Sequence, residues 1–451
     1  MGCVAQGEGD HQAVSTRSSF ALGFLALIAV GAALLACPFS RADGCASNFG
    51  AAVFTACSAV CVTGLSVVDI ATEYSVAGQI IIMALVELGC LGLMTCGTFF
   101  LVAIGRRLSL NLSREFTLMN AYGIEQIQGL RGLICWIVGS MFVIEAVFAA
   151  LFHAHFSNWY ESIFFSIMNF CNAGFSLSAD SLGFFPRGWV VTAMGIETIL
   201  GGIGFLVIYN LCTFKFLHRI SGARGRLTLH TRVVLRFTFY LLVIAFLAFL
   251  AVEWNQTLKG MEFVEKMVVG FFQAATPRTC GFAVVPTEDL HPLTRLIYEI
   301  LMFIGGAPGS AAAGMKVTTL AVILYTMTAM CRGETETVMD RRTISSEVVR
   351  ESLVILMVMV MLAVVVTGAL FITEAGSTLT SDAIFFEAVS AVTTTGLSMG
   401  DTTSTLSTAG RVVIMVAMFI GRLGALTVVL MIGDKESKKH VRFPVEELVV
   451  G

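Results

Sequence analysis

The chain has 451 residues, 56% of them hydrophobic and 13% charged, with a formal net charge of −3 and a mean hydropathy of +0.85. Soluble domains carry about 25% charged residues, so this composition excludes an ordinary water-soluble enzyme and argues for a lipid solvent. No basic patch with interleaved aromatics suits nucleic acid, and the twelve cysteines are scattered without paired CxxC units, so reduced buried thiols are expected rather than a metal or disulfide framework.

Apolar runs near the ~20 residues that cross a bilayer fall at about 20–37, 76–104, 131–152, 190–214, 235–252, 294–330, 352–372 and 410–432. The expected class is an all-α polytopic membrane protein with no sizeable soluble domain. The stretches 105–131, 215–236, 332–350 and 435–442 hold 18 of the 28 Lys and Arg residues. By the positive-inside rule these are cytoplasmic, and so are both tails, 1–19 and 433–451.

In chain order, the start MGCVAQ lacks the Ser or Thr at position 6 that myristoylation requires. LLAC at 34–37 only loosely imitates a lipoprotein cleavage site. Neither is read as processing, because the first unit of a repeat needs that helix. This unit, 20–104, carries FTACSAVCVTGLSVVD at 54–69 between its two apolar runs. The second, 131–217, carries FFSIMNFCNAGFSLSAD at 164–180; His153 and His155 just before it read as an outer polar loop rather than a metal site. The third, 235–330, carries FFQAATPRTCGFAVV at 271–285, and the fourth, 352–432, carries FEAVSAVTTTGLSMGD at 386–401.

Phe54, Phe164, Phe271 and Phe386 each stand ten residues before Gly64, Gly174, Gly281 and Gly396, and these glycines are 110, 107 and 115 residues apart. A further glycine follows in each unit after 25, 27, 24 and 25 residues, at Gly89, Gly201, Gly305 and Gly421. This is a fourfold internal repeat of helix, short re-entrant segment, helix. About ten residues make a half-membrane helix of about 15 Å, and each then breaks at a residue free to take positive φ. Non-helical backbone at membrane depth survives only when buried in protein or lining a wet cavity. The expected architecture is therefore four helix–pore-loop–helix repeats around a pseudo-fourfold central pore.

The strips that would line it are Val62-Thr63-Gly64, Asn172-Ala173-Gly174, Thr279-Cys280-Gly281 and Thr394-Thr395-Gly396. Rings of backbone carbonyls replace the hydration shell of a monovalent cation, and the negative ends of the half-helices would favour positive charge. In the nine residues after each glycine stand Asp69, Glu73, Asp180, Glu288, Asp289 and Asp401, without a Lys or Arg. Such acids at an outer mouth concentrate cations; of these, Asp69, Asp180 and Asp401 are singled out.

With these residues in view, the chain resembles the Trk/Ktr/HKT superfamily of potassium transporters. The most specific match is GGAPGSAAAGMKVTT at 305–319, which resembles the glycine-rich interruption of the third repeat's second helix. About 19 residues precede the first repeat, so the chain looks closest to the Ktr-type membrane subunit. The resemblance covers about 20–435 and departs at NAGF and TCGF, which lack the Thr-x-Gly look. It implies potassium as transported ion at the filter strips, sodium as a candidate coupling or activating ion, a homodimer in the plasma membrane, and a cytosolic nucleotide-binding ring of the RCK/KTN type as partner. A serine at the first filter glycine goes with sodium transport in plant members; Gly64 is intact here, which favours potassium over the sodium-permeable alternative.

Three bases lie deep in the membrane zone: Arg278, Lys316 and Arg422. Each should have a partner or line water. For Arg278 the candidate acids are Glu87, Glu145, Glu197 and Glu299. The run 305–314, with four glycines, a proline, a serine and four alanines, cannot hold a continuous helix. In the family resemblance it is a loop beneath the filter, so the expected gate is Gly305, Gly306, Ala307, Pro308, Gly309, Ser310 and Gly314 with Lys316 and Arg422. An alternative of another class is an intramembrane metalloenzyme built on Glu87, Glu145, Glu197, His153 and His155; no ligand spacing supports it, and no transition metal is expected.

Overall fold

The computed structural model describes residues 5–44, 48–103, 130–178, 181–182, 188–221 and 227–424. The connection 105–129, the acid Asp180 and the tail 433–451 lie outside the described residues.

About 71% of the structure is helix and 3% strand. Four times a long helix is followed by a short one, an irregular strip and a further helix. The first unit has α1 (Ala5–Ala36), α2 (Phe49–Val60) and α3 (Val76–Ala103). The second has α4 (Leu130–Phe156), α5 (Trp159–Phe170), α6 (Trp189–Ile203) and α7 (Phe205–Ser221). The third has α8 (Leu229–Glu253), α9 (Phe263–Ala275), α10 (Pro292–Phe303) and α11 (Val317–Cys331). The fourth has α12 (Ser346–Thr373), α13 (Ser381–Thr393) and α14 (Thr408–Leu423). α1 begins at Ala5, so helix already occupies most of the stretch assigned to a tail.

By length and composition, α8, α12 and Cys135–Phe156 of α4 can cross a membrane unaided, and α6 with Phe205–Phe214 of α7 is long and apolar enough only as a pair bent by 96°. The short helices α2, α5, α9 and α13 have 12 or 13 residues, about 18–20 Å at 1.5 Å per residue, too short to span. Their starts are fixed locally. The side chains of Asn48, Asn158 and Thr380 accept the amides of Gly50, Tyr160 and Ala383, and Glu265 accepts the amide of Glu262 at 3.2 Å. Such caps satisfy amides that the first helical turn leaves free.

Phe54, Phe164 and Phe386 are fully buried, as a repeated anchor should be. The third unit differs: Phe272 is the fully buried ring, while Phe271 is half-buried against Gly195. In this unit α9 ends at Ala275, six residues before Gly281, and the chain turns through Pro277 before its strip.

The units close on one another. α3 packs on α5, α6 on α9, the third unit's α10 on α13, and α14 on α2. Spatial order thus equals chain order, and the last unit meets the first.

The second helices do not run straight. α3 carries Gly92 at φ 68°, ψ 154°, α6 ends at Gly204 with φ 94°, ψ 143°, and α14 ends at Gly424 with φ 86°, ψ 137°. Only glycine tolerates that region. Each lies three residues beyond a glycine the repeat had marked. The apolar run 294–330 is two helices separated by an irregular loop that contains 305–314, the stretch whose composition bars a continuous helix.

The described residues also include a β-hairpin. β1 (Thr337–Met339) and β2 (Arg342–Ile344) form an antiparallel hairpin, whose turn residue Asp340 meets Arg232 at 3.2 Å and Arg236 at 3.0 Å on α8. Met339 packs with Val233, Ala321 and Val322. The connection between the third and fourth units is therefore pinned to α8.

Candidate functional site

The four irregular strips come together. A Cβ added to Gly64 would collide with the Ala173 carbonyl oxygen, and one on Gly396 with the Thr63 carbonyl oxygen. One on Gly174 would sit 2.8 Å from the Cys280 oxygen, and one on Gly281 2.7 Å from the Thr395 oxygen. Each glycine therefore abuts the carbonyl just before the next unit's glycine, in the closed order 64, 174, 281, 396 and back to 64. All four glycines have φ between 69° and 90°. The absence of side chains is what lets four backbones approach this closely.

The second glycines serve the same approach. A Cβ on Gly89, Gly201 or Gly421 would strike the carbonyl oxygen of Val60, Phe170 or Val392, at the end of the short helix of its own unit. Gly305 departs, lying against Ala313 of its own loop instead.

For the first residue of each strip, two before the glycine, sequence reasoning missed the conformation. Val62, Asn172, Thr279 and Thr394 all take left-handed conformations, with φ of 52°, 56°, 68° and 49°. For β-branched Val and Thr this is an outlier costing about 1–3 kcal/mol, held only because the surroundings over-determine it. Nothing in the sequence signals it, because these residue types disfavour that geometry. Buried polar atoms at the strips also lack protein partners: the hydroxyls of Thr63, Thr279 and Thr394 and both amide atoms of Asn172.

Buried carboxylates support the strips from behind. Glu197, fully buried, accepts Ser166 at 2.6 Å and Asn169 at 2.9 Å; Thr198 joins Asn169 and lies 3.3 Å from the Cys280 thiol. Glu387 accepts the hydroxyls of Ser398, at 2.8 Å, and Thr403. Glu87, Glu145 and Cys171 form one cluster with ligand atoms within 4.8 Å of one another. His153 is not in it; it stacks on Trp159.

Arg278 does not meet an acid. Among the described residues no carboxylate pairs with it; its guanidinium donates to the Gly305 carbonyl at 3.3 Å. Buried at 7% exposure, it ties the third strip to the base of the 305–314 loop. The expectation failed because freed backbone carbonyls, which sequence does not count, were nearer than any side chain.

That base is closed by Gly305 donating to Met315 and Val317 donating to Gly306, both at 3.0 Å. The tip docks on the break in the second unit. Ala307 and Ala311 donate to the Gly202 and Gly201 carbonyls at 2.9 and 3.2 Å, and Phe205 donates to Gly309 at 3.0 Å. The bend at Gly204 frees those carbonyls, and the loop satisfies them. Arg422 donates to Ala311 and to Gly89, both at 2.7 Å. Lys316 donates to Ala312 at 2.6 Å. Pro308 and Ala307 lie against Gly204, and Ser310 donates to Ala307. Gly309 and Gly314 turn the loop at φ 70°.

The outer acids have other contacts. Asp69 caps the one-turn helix Ile70–Glu73 through the Ala71 amide at 3.0 Å, and Asp401 is exposed. Arginines from elsewhere come close: Arg41 pairs with Glu73, and Arg295 meets Asp382 at 2.8 Å and the Glu288 carbonyl at 2.8 Å.

A continuous ring of backbone strips inside a helical membrane protein is the build of a transporter rather than an enzyme. The chain belongs to the TrkH family, whose model, described as a cation transport protein, matches residues 25–442. It is 35% identical over 443 residues to the potassium/sodium uptake protein NtpJ of Enterococcus hirae, covering 96% of each chain. It is 34% identical over 441 residues to the Ktr system potassium uptake protein B of Bacillus subtilis, again 96% of each. The crystal structure of the potassium transporter TrkH from Vibrio parahaemolyticus shares the fold, with a TM-score of 0.72 at 17% identity over 92% of this chain and 85% of that one. Family and relatives are transporters, so the metalloenzyme alternative falls away.

Proposed function

We propose that this chain carries potassium into the cell through a filter lined by the carbonyls of Val62-Thr63-Gly64, Asn172-Ala173-Gly174, Thr279-Cys280-Gly281 and Thr394-Thr395-Gly396. The observation that carries this is the closed glycine-to-carbonyl ring, with each strip seated against the next. Short helices ending at the ring aim their negative dipole ends toward it, which favours a cation. Carbonyl oxygens suit a weakly hydrated monovalent ion that must enter and leave. The names of the Enterococcus and Bacillus relatives support the substrate class.

Residues 305–314 act as the gate below the ring, held by Arg422 and Lys316. Asp69, Asp180 and Asp401 draw cations to the outer mouth. The chain works in the plasma membrane with both termini cytoplasmic, as a homodimer on a cytosolic nucleotide-binding ring of the RCK/KTN type, with sodium as coupling or activating ion. A sodium-permeable transporter is the second reading, favoured by the unlike strips NAG and TCG.

The test is potassium-limited growth of cells lacking their own uptake systems. Rescue at low potassium supports the reading; no rescue by protein that reaches the membrane and binds the ring refutes it. Uptake of sodium and potassium at equal preference would establish the second reading.

A further inference from the structure

The four strips are alike in backbone but not in how their peptides are held. In the first unit the Thr63 amide donates to the Ser58 carbonyl at 2.9 Å, and the next amide, Gly64, donates to the Ser58 hydroxyl at 3.1 Å. In the fourth unit the Thr395 amide donates to the Ser390 carbonyl at 2.9 Å, and the Gly396 amide to the Ser390 hydroxyl at 3.1 Å. One serine six residues before the glycine thus holds two successive amides. Both serines are fully buried. At the equivalent positions the second and third units have Met168 and Ala275, which offer no hydroxyl.

A trans peptide is planar, so its N–H and C=O point in opposite directions. Holding the Gly64 amide outward on Ser58 turns the Thr63 carbonyl the other way, and that oxygen is the one lying against Gly396 in the ring. Holding the Gly396 amide on Ser390 turns the Thr395 carbonyl likewise, against Gly281. The two clamped strips are neighbours in the ring, so one side of it is fixed by serine hydroxyls. The other side relies on different support, including the Thr198 to Cys280 contact and the Thr276 hydroxyl on the Phe282 carbonyl.

We propose that Ser58 and Ser390 are positioning residues for ion discrimination: their hydroxyls set the direction of the Thr63 and Thr395 carbonyls, and selectivity rests unequally on this half of the ring. A carbonyl whose peptide can rock accommodates a smaller ion, so losing the clamp lowers discrimination rather than throughput. This rests on the filter reading above.

The experiment measures potassium and sodium uptake in competition, in liposomes holding the full chain. Ser58→Ala and Ser390→Ala each lower the potassium-over-sodium ratio by about fivefold to tenfold, the size expected from one lost hydrogen bond. Ser162→Ala serves as control: that hydroxyl donates to the Asn158 carbonyl at 2.7 Å, at the start of α5 and away from the strips, and its ratio stays parental. Where an alanine variant fails to fold, Ser390→Thr and Ser390→Val have nearly the same shape and differ in the hydroxyl. Thr keeps the ratio and Val lowers it. Parental ratios in the folded Ala variants, or equal ratios for Thr and Val, overturn the clamp and leave the filter reading standing. A parent with no preference between the ions overturns both.

Discussion

Arg422→Ala tests the gate most directly. Arg422 is the side chain that joins the fourth unit to the loop, by its 2.7 Å bond to Ala311, and it also satisfies the Gly89 carbonyl near the break in α3. A hydrogen bond from a charged donor contributes about 1.5–3 kcal/mol. Removing the Ala311 bond should therefore shift the closed-to-open ratio by about tenfold to a hundredfold. Three backbone bonds remain between the loop and the second unit, Ala307 to Gly202, Ala311 to Gly201 and Phe205 to Gly309, so the loop is loosened and not released. The arginine's own charge also opposes a passing cation, an effect larger in a low-dielectric passage than in water; its removal acts in the same direction. Liposomes loaded with the folded variant should show potassium flux raised by at least about tenfold, with the potassium-over-sodium ratio unchanged because the ring is untouched. Arg422→Lys should fall between, since one ammonium keeps the charge without the guanidinium's fork of donors. Flux no higher than the parent's from folded Arg422→Ala would refute the gate.

Gly396→Ser should lower potassium preference and admit sodium, because its Cβ meets the Thr63 carbonyl oxygen at φ 85°; competitive uptake checks this. Gly204→Ala should displace the loop tip, since its Cβ would lie 2.9 Å from the Pro308 oxygen at φ 94°, and flux should rise while Tm falls. Asp340→Asn should cost about 1 kcal/mol or less, because partly exposed ion pairs contribute little, and it should leave uptake unaltered. A thermal melt beside a flux assay separates those last two.

The repeat was legible because glycine is conspicuous wherever backbones must touch. Gly64, Gly174, Gly281 and Gly396 could be found by spacing alone, and the 305–314 run by its inability to form a helix. What escaped was the company these residues keep. Arg278 was assigned an acid and holds the Gly305 carbonyl, because the end of α10 at Phe303 leaves an acceptor that no residue letter records. The left-handed Val62 and Thr394 run against their propensities and are imposed by tertiary packing. The hairpin at 337–344 was hidden in a charged connection, and its turn residue Asp340 meets two arginines of α8 that lie about a hundred positions earlier in the chain.

Closure of the fourth unit on the first, α14 against α2, has the same character as the contacts between units that the chain links directly. The covalent connections therefore set stoichiometry and order, while complementarity between faces sets the geometry. A polypeptide severed between residues 221 and 227 would still present two halves whose open faces match at both seams, and coexpressed halves would reassemble into one working molecule. Because each quarter is encoded once, a substitution alters a single strip, whereas in a ring of identical subunits it would alter all of them. The four strips can therefore differ in how they are held, as the serine hydroxyls beneath only Gly64 and Gly396 do.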